Sequence, residues 1–461
     1  MERELIGAYG IVALFILIML RIPVALAMLI TGIAGTWVLS LASPFIKFGP
    51  YLLQFKTALW NSVANYDLSV VPLFVLMGFL AAETGLSRDL FQGLSALTRK
   101  IRGGVAMATI LACAGFGAVS GSSIATASTM SRVALPELRK LKYNEGLSTG
   151  VLAAGGTLGI LIPPSVALVI YAIVVEASII DMFQAAIVPG LLAVVFFLVV
   201  IRLRLARNPD LAPTPAAMTD AEVRHAIRRL LPVGLIFGSI ILGLGMGLFT
   251  PTPAAAVGVF LILVYGILLR ALSNDDGLTL GRLKAALLAT AKTASMIYFI
   301  LFAADILKGF FARTNLPTAM SDWAAASTLD PYLILVAMLV ILIVLGCFME
   351  SLSMILVVVP FFWPVLIQIN GGDYVTADTA AFGMSNADLR IWFGILALIV
   401  VELGLITPPV GLNVFVIKSF SPDTGIATIF RGVAPFFAIE LVRVAILILV
   451  PALTLFLTTV L

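Results

Sequence analysis

Gly159-Ile-Leu-Ile-Pro-Pro164 returns in the second half of the chain as Gly404-Leu-Ile-Thr-Pro-Pro409. Each ends an apolar run on two residues that lack an N–H, so carbonyls one turn earlier lose their donors. In a membrane such a break survives only inside protein or beside a polar cavity. Two breaks of the same kind point to a transport site. The text downstream also corresponds: Asp181-Met-Phe-Gln-Ala-Ala-Ile-Val-Pro189 lines up with Ala427-Thr-Ile-Phe-Arg-Gly-Val-Ala-Pro435. The spacing from Pro163 to Pro189 is 26 positions and from Pro408 to Pro435 is 27.

Working outward, each break is preceded by a turn of small residues inside an apolar run. These are Gly117-Ala-Val-Ser-Gly-Ser-Ser-Ile-Ala-Thr126 and Gly346-Cys-Phe-Met-Glu-Ser-Leu-Ser353. The flanking arms are too short for two comfortable spans, which predicts re-entrant hairpins with tips near the midplane. Arg99, Lys100 and Arg102, with Arg139, Lys140 and Lys142, flank the first hairpin, so its mouth is expected to be cytoplasmic. Asp322, Asp330, Asp373, Asp378 and Asp388 flank the second, whose mouth is expected to be periplasmic. Similar units entering from opposite faces make an inverted-topology pair.

Composition agrees. Of 461 residues, 61% are hydrophobic and 11% charged, against roughly 25% charged in soluble domains; mean hydropathy is +1.14. The fold class is therefore an all-α polytopic membrane protein. Candidate spans are Leu5 to Leu20, Pro23 to Leu41, Val70 to Ala82, Val151 to Val175, Phe183 to Ile201, Leu231 to Phe249, Ala254 to Leu269, Thr293 to Phe311, Tyr332 to Leu345, Ile391 to Val401 and Phe436 to Leu457. The first reads as a retained helix, since no basic region precedes it. Arg202 to Arg229, around the loop Pro209 to Pro215, reads as a cytoplasmic connection. His225 lies in that connection; Cys113 and Cys347 lie in apolar runs and read as small buried residues. No disulfide framework or clustered metal ligand set follows. A net charge of +4 is ordinary for a membrane protein with basic loops, and nucleic acid is not implied. Gly49 to Tyr66, which includes Asn61, and Ser87 to Arg102 read as amphipathic helices along the membrane surface. The five tryptophans, Trp37, Trp60, Trp323, Trp363 and Trp392, read as interface anchors or packing.

Carbonyls and hydroxyls at hairpin tips and breaks suit a small hard cation such as sodium. One is expected between Ser120, Ser123, Gly159 and Ile162, and a second between Gly346, Gly404, Thr407 and Val410, with Gly and Ile contributing carbonyls only. The other reading of these small residues is close helix packing. Glu350, at the second tip, and Glu402, before the second break, are functional candidates because a membrane charge costs at least ~2.5 kcal/mol. They could accept a coupled proton, attract a cation or hydrogen-bond a helix end. A single loop His and scattered carboxylates do not supply an enzyme's site. A channel filter could use such loops, yet paired breaks favour alternating access.

The run Ile391-Trp-Phe-Gly-Ile, Glu402-Leu-Gly-Leu-Ile-Thr-Pro-Pro-Val-Gly-Leu-Asn-Val-Phe-Val416, Gly117-Ala-Val-Ser-Gly-Ser-Ser and Gly159-Ile-Leu-Ile-Pro-Pro-Ser165 together resemble the large membrane subunit of tripartite ATP-independent periplasmic (TRAP) transporters. The resemblance covers essentially the whole chain. It implies a sodium-coupled, elevator-type secondary transporter in the bacterial inner membrane, with sodium as coupling ion and no other cofactor. It further implies two partners besides lipid, a soluble periplasmic substrate-binding protein and a small four-helix membrane subunit, the latter expected as a separate chain. The implied division is 1–66 scaffold and amphipathic arm, 67–200 first repeat, 201–311 connection and scaffold helices, and 312–461 second repeat with the C-terminal helix. The two hairpin and Pro-Pro units would form the moving part. The family carries organic anions such as C4-dicarboxylates, sugar acids and sulfonates, which suit helix N-termini near the tips. Ser122, Thr126, Thr157, Ser353 and Asn413 are the candidate substrate residues. The rival reading is a single-subunit, ion-coupled anion carrier or antiporter of the same broad architecture, with coupling to protons instead of sodium as a separate alternative.

Overall fold

The computed structural model describes residues 3–214, 219–272 and 277–460. The side chains of Asn61, Ser62, Asp220 and His225 fall outside that description, as does Pro215, and the expectations for Asn61, His225 and Pro215 with them. Among the described residues there is no strand. Helices α1 (Arg3–Met19), α2 (Val24–Ala42) and α3 (Phe48–Ala64) lead to α4 (Val70–Glu83) and the short α5 (Leu86–Thr98). A hairpin of α6 (Gly104–Ser120) and α7 (Ser123–Lys140) follows, then a broken helix of α8 (Glu145–Leu161) and α9 (Val166–Val175), then α10 (Ile179–Arg207). Two connecting helices, α11 (Asp220–Gly245) and α12 (Pro251–Leu272), separate the halves.

The second half repeats the order. Long α13 (Leu280–Thr314) and short α14 (Leu316–Ala326) precede the hairpin α15 (Pro331–Gly346) and α16 (Ser351–Asn370). The broken helix α17 (Asn386–Gly404) and α18 (Leu412–Phe420) follows, then α19 (Ile426–Leu449) and α20 (Ala452–Val460). Among the described residues seven helices are long and apolar enough to cross a membrane, or up to nine if each bent pair is one span. The bent pairs are α4 with α5, at 65°, and α8 with α9, at 45°.

Local sequence explains most boundaries. Asn144 caps α8 by accepting from Leu147 N–H at 3.1 Å, and Ser385 caps α17 by accepting from Asp388 N–H at 3.2 Å; each such cap is worth about 1 kcal/mol. Asp330 and Pro331 start α15 together, the aspartate accepting from Tyr332 N–H at 2.8 Å. Two expectations are corrected. The span drawn from Phe436 to Leu457 divides at Val450-Pro451, because Pro451 has no N–H with which to continue α19. The span drawn from Thr293 starts at Leu280 and makes a 35-residue helix. Short α14 was not anticipated, although it stands before its hairpin as α5 stands before the first.

The two broken helices run in opposite directions, and their end contacts prove it. At the start of α8, Glu145 accepts from Thr424 Oγ1, just past α18, at 3.0 Å. At the start of α17, Arg390 donates to the carbonyl of Glu176, which caps the end of α9, at 3.0 Å. Each broken helix thus begins where the other finishes. The side holding Glu145 also holds Arg139, Arg102 and the loop after α10, where Arg102 donates to Ala212 O at 3.3 Å. Glycines allow the crossing of α8 over α19: a Cβ on Gly150 would lie 2.4 Å from Gly432 O. Small residues at such crossings let backbones approach closely.

Around this paired core, α2 and α4 pack with α13, and α12 packs on α4. The amphipathic α3 lies along α13 through Tyr51, whose hydroxyl donates to Ile306 O at 3.0 Å while Arg313 stands over its ring. Amphipathic α5 is held more firmly: buried Asp89 accepts from Arg229 of α11 at 3.0 Å and from Tyr265 of α12 at 2.6 Å.

Candidate functional site

Both hairpin tips lie against the helix breaks, and bare backbone makes the contact. A Cβ on Gly117, in the last turn of α6, would lie 2.6 Å from the Cα of Gly159 on α8. In the second repeat, a Cβ on Gly404 would lie 2.6 Å from the Cα of Gly346, where α15 ends. Only glycine permits this approach, so the two small-residue turns and the two breaks meet as matched pairs. At the first tip Gly121, with φ +57°, turns the chain, and there a Cβ would meet the amide N of Val166 at 2.9 Å. At the second, Cys347 Sγ reaches Pro408 O at 3.4 Å. Both Pro-Pro peptide bonds are cis.

Of the residues expected at the first cation position, Ser120 and Gly159 both face Thr126 and the Ser122 carbonyl. Ser120 Oγ lies 2.7 Å from Thr126 Oγ1 and 3.4 Å from Ser122 O. A Cβ on Gly159 would meet Thr126 Oγ1 at 2.5 Å and Ser122 O at 2.7 Å. Pro163 and Pro164 return no N–H to the carbonyls of Gly159 and Ile160. Ile162 ends α8, its N–H donating to Leu158 O at 3.2 Å. The hydroxyl of Ser123 donates across to Glu402. At the second position, Thr407 donates its hydroxyl to Leu403 O at 2.5 Å and its N–H to Gly404 O at 3.1 Å. The Gly404 carbonyl is therefore not left without a donor, and Thr407 keeps only oxygen lone pairs for a cation. Val410 is half-buried beside Pro408 and Pro409.

Glu402 occupies the centre. It is 1% exposed and accepts from one serine of each hairpin: Ser123, the first residue of α7, and Ser351, the first of α16, the latter at 2.7 Å. Glu350 and Glu440 lie close enough to act on it electrostatically. Among the described residues no arginine or lysine pairs with it. Arg443, on α19, is engaged by Glu440 and by Pro189 O at 2.8 Å. Glu350 begins α16 without capping it through its side chain.

Of the substrate candidates, four surround the end of α8. Ser122 caps α7 by accepting from Ala125 N–H at 3.4 Å. Thr126 and Thr157 are buried with their hydroxyls satisfied locally, Thr157 donating to Ala154 O at 2.6 Å. Asn413 is fully buried beside Gly156, and neither of its amide atoms has a partner. Ser353 lies two residues past Ser351 on α16. Sequence reasoning missed Ser351 and the buried Ser165, whose hydroxyl also lacks a partner. The first was visible beside Glu350 in the hairpin turn; nothing local marks the second.

The model of the family described as "Tripartite ATP-independent periplasmic transporter, DctM component" matches residues 11–453. The C4-dicarboxylate TRAP transporter large permease protein DctM of Pseudomonas aeruginosa is 32% identical over 426 residues, covering 92% of each chain. The sialic acid TRAP transporter large permease protein SiaM of Vibrio cholerae is 29% identical, over 86% of this chain and 87% of its own. Among solved structures, the YdaH transporter of Alcanivorax borkumensis superposes with a TM-score of 0.57 at 14% identity, over 84% of this chain and 86% of that one. That likeness is one of fold.

Proposed function

The chain belongs to the DctM family of tripartite ATP-independent periplasmic transporters, and on that premise we propose that it drives sodium-coupled uptake of a small organic anion. It is a multi-pass protein of the bacterial inner membrane and a transporter component, not an enzyme. The observation that supports the finer reading is that each hairpin tip meets its own helix break through paired glycines, while one serine from each hairpin donates to the buried Glu402. Hydroxyl and carbonyl oxygens there suit hard cations. Ser120 and Thr126 with the Gly159 and Ile162 carbonyls would hold one sodium, and Thr407 with carbonyls around Gly346, Gly404 and Val410 a second.

The substrate belongs to the carboxylate or sulfonate class. Two relatives are named for C4-dicarboxylates and sialic acid, and the N-termini of α7 and α16 offer N–H groups to an anion. The orphan amide of Asn413 is a further hydrogen-bonding group for it. A soluble periplasmic protein would deliver the substrate, and a small membrane subunit would brace this chain. In an elevator cycle the hairpins and broken helices move as one body against α1–α4 and α11–α13, with α5 and α14 as the arms.

Sodium binding is tested by thermal unfolding of the purified chain in sodium, potassium and choline chloride at one ionic strength. A ligand of the folded state present at 100 times its Kd stabilises it by about 2.7 kcal/mol. The expected result is stabilisation by sodium alone, weakened in Thr407→Val. Equal midpoints in all three salts would sink the sodium reading.

A further inference from the structure

We infer that Glu402 is a positioning residue that couples the two hairpins, so that a cation ordering one tip raises the affinity for a cation at the other. This rests on the sodium reading above. Its basis is an asymmetry between the repeats. Ser123 and Ser351 each open the second arm of a hairpin, and both donate to the same carboxylate. The first repeat has no carboxylate at the matching place: two residues before Gly159, where the second repeat has Glu402 two residues before Gly404, stands Thr157, bonded within its own helix.

The chemistry follows from the geometry. A hydroxyl that donates to a carboxylate has its proton fixed, and its lone pairs turn away toward the tip. Charge-assisted bonds of this kind are strong, and carboxylates behind a metal ligand orient it and raise its basicity. Through Ser123, the tip that carries Ser120 and Thr126 is thereby held by a residue of the other repeat. Glu402 is buried beside Glu350 and Glu440, and Arg443 answers Glu440. Losing either serine would leave a buried carboxyl oxygen without its partner where water does not reach, so each leg supports the other. Couplings between sites commonly amount to about 5–150-fold in affinity.

The test is a sodium titration of thermal unfolding, at ionic strength held constant with choline, for the wild type, Glu402→Gln and Ser351→Ala. Ser351 is outside both cation ligand sets, so loss of a ligand cannot explain its effect. The wild type should titrate with a Hill coefficient between about 1 and 2. Ser351→Ala should bring it to about 1, and Glu402→Gln should also raise half-saturating sodium by about 10–100-fold. If Glu402→Gln does not fold, Ser351→Ala decides alone. Wild-type cooperativity retained in Ser351→Ala would overturn the coupling while leaving sodium binding intact. A wild type that ignores sodium would instead remove the underlying reading, and the coupling with it.

Discussion

The two repeats agree in backbone and disagree in side chains. Each has a glycine in its hairpin touching a glycine in its broken helix, a Pro-Pro pair beyond, and a long helix with an interior proline, Pro189 or Pro435. At the corresponding position before the break, however, the first repeat has Thr157 and the second Glu402. Thr157 bonds its own helix, whereas Glu402 reaches both hairpins. Duplication has therefore preserved what forms the breaks and let diverge what acts in them. One carboxylate serves a site built from two halves.

The sharpest way to test this difference is to delete both side chains. Glu402→Ala leaves the hydroxyls of Ser123 and Ser351 buried without acceptors, at about 1–3 kcal/mol each. Thr157→Val keeps the shape and loses one bond worth about 1 kcal/mol. Denaturation midpoints of the purified variants should separate widely, and equal losses would mean that Glu402 holds nothing the threonine does not. A smaller effect concerns the glycine pairs. Gly117→Ala and Gly404→Ala would press a Cβ to 2.6 Å from facing backbone, whereas Gly346→Ala meets Val401 O at 2.9 Å and Gly404 Cα at 3.2 Å. Overpacking of this kind costs about 1–3 kcal/mol, and the roughly 1 kcal/mol gained in helix propensity offsets more of it at Gly346. The first two should unfold at lower temperature than Gly346→Ala; the reverse order would show that the tips do not meet their breaks through these glycines.

The breaks and hairpin turns were legible because proline and glycine act on the chain locally. The repeat was legible because its halves keep the same spacing. The meeting at Glu402 was not: Ser123 lies 279 residues from it and Ser351 lies 51, and no local pattern tells which hydroxyl faces which carboxylate. The division at Pro451 was hidden for a different reason. Hydropathy stays high across it, so composition gave no sign, although the missing N–H was in plain view. Short α14 was obscured for the opposite reason, by the polar residues Ser321 and Asp322 within it.

The smallest expected effect distinguishes the two ends of the paired core. On one side Arg139 pairs with Glu145 at 2.9 Å, both partners about one third to two fifths exposed, and also bonds Ser421. On the other, Arg390 donates to a neutral carbonyl, that of Glu176, and stands over the Trp363 ring at 5.2 Å. Partly exposed ion pairs contribute about 0–1 kcal/mol and are screened by salt; a bond to a carbonyl and a stacking contact respond less. Arg139→Ala and Arg390→Ala should each lower the unfolding midpoint slightly at low ionic strength. Raising choline chloride to about 1 M, where the screening length falls to about 3 Å, should shrink the Arg139→Ala deficit and leave that of Arg390→Ala. If both deficits persist, the hydroxyls of Ser421 and Thr424, more than the charge on Glu145, hold the basic end together.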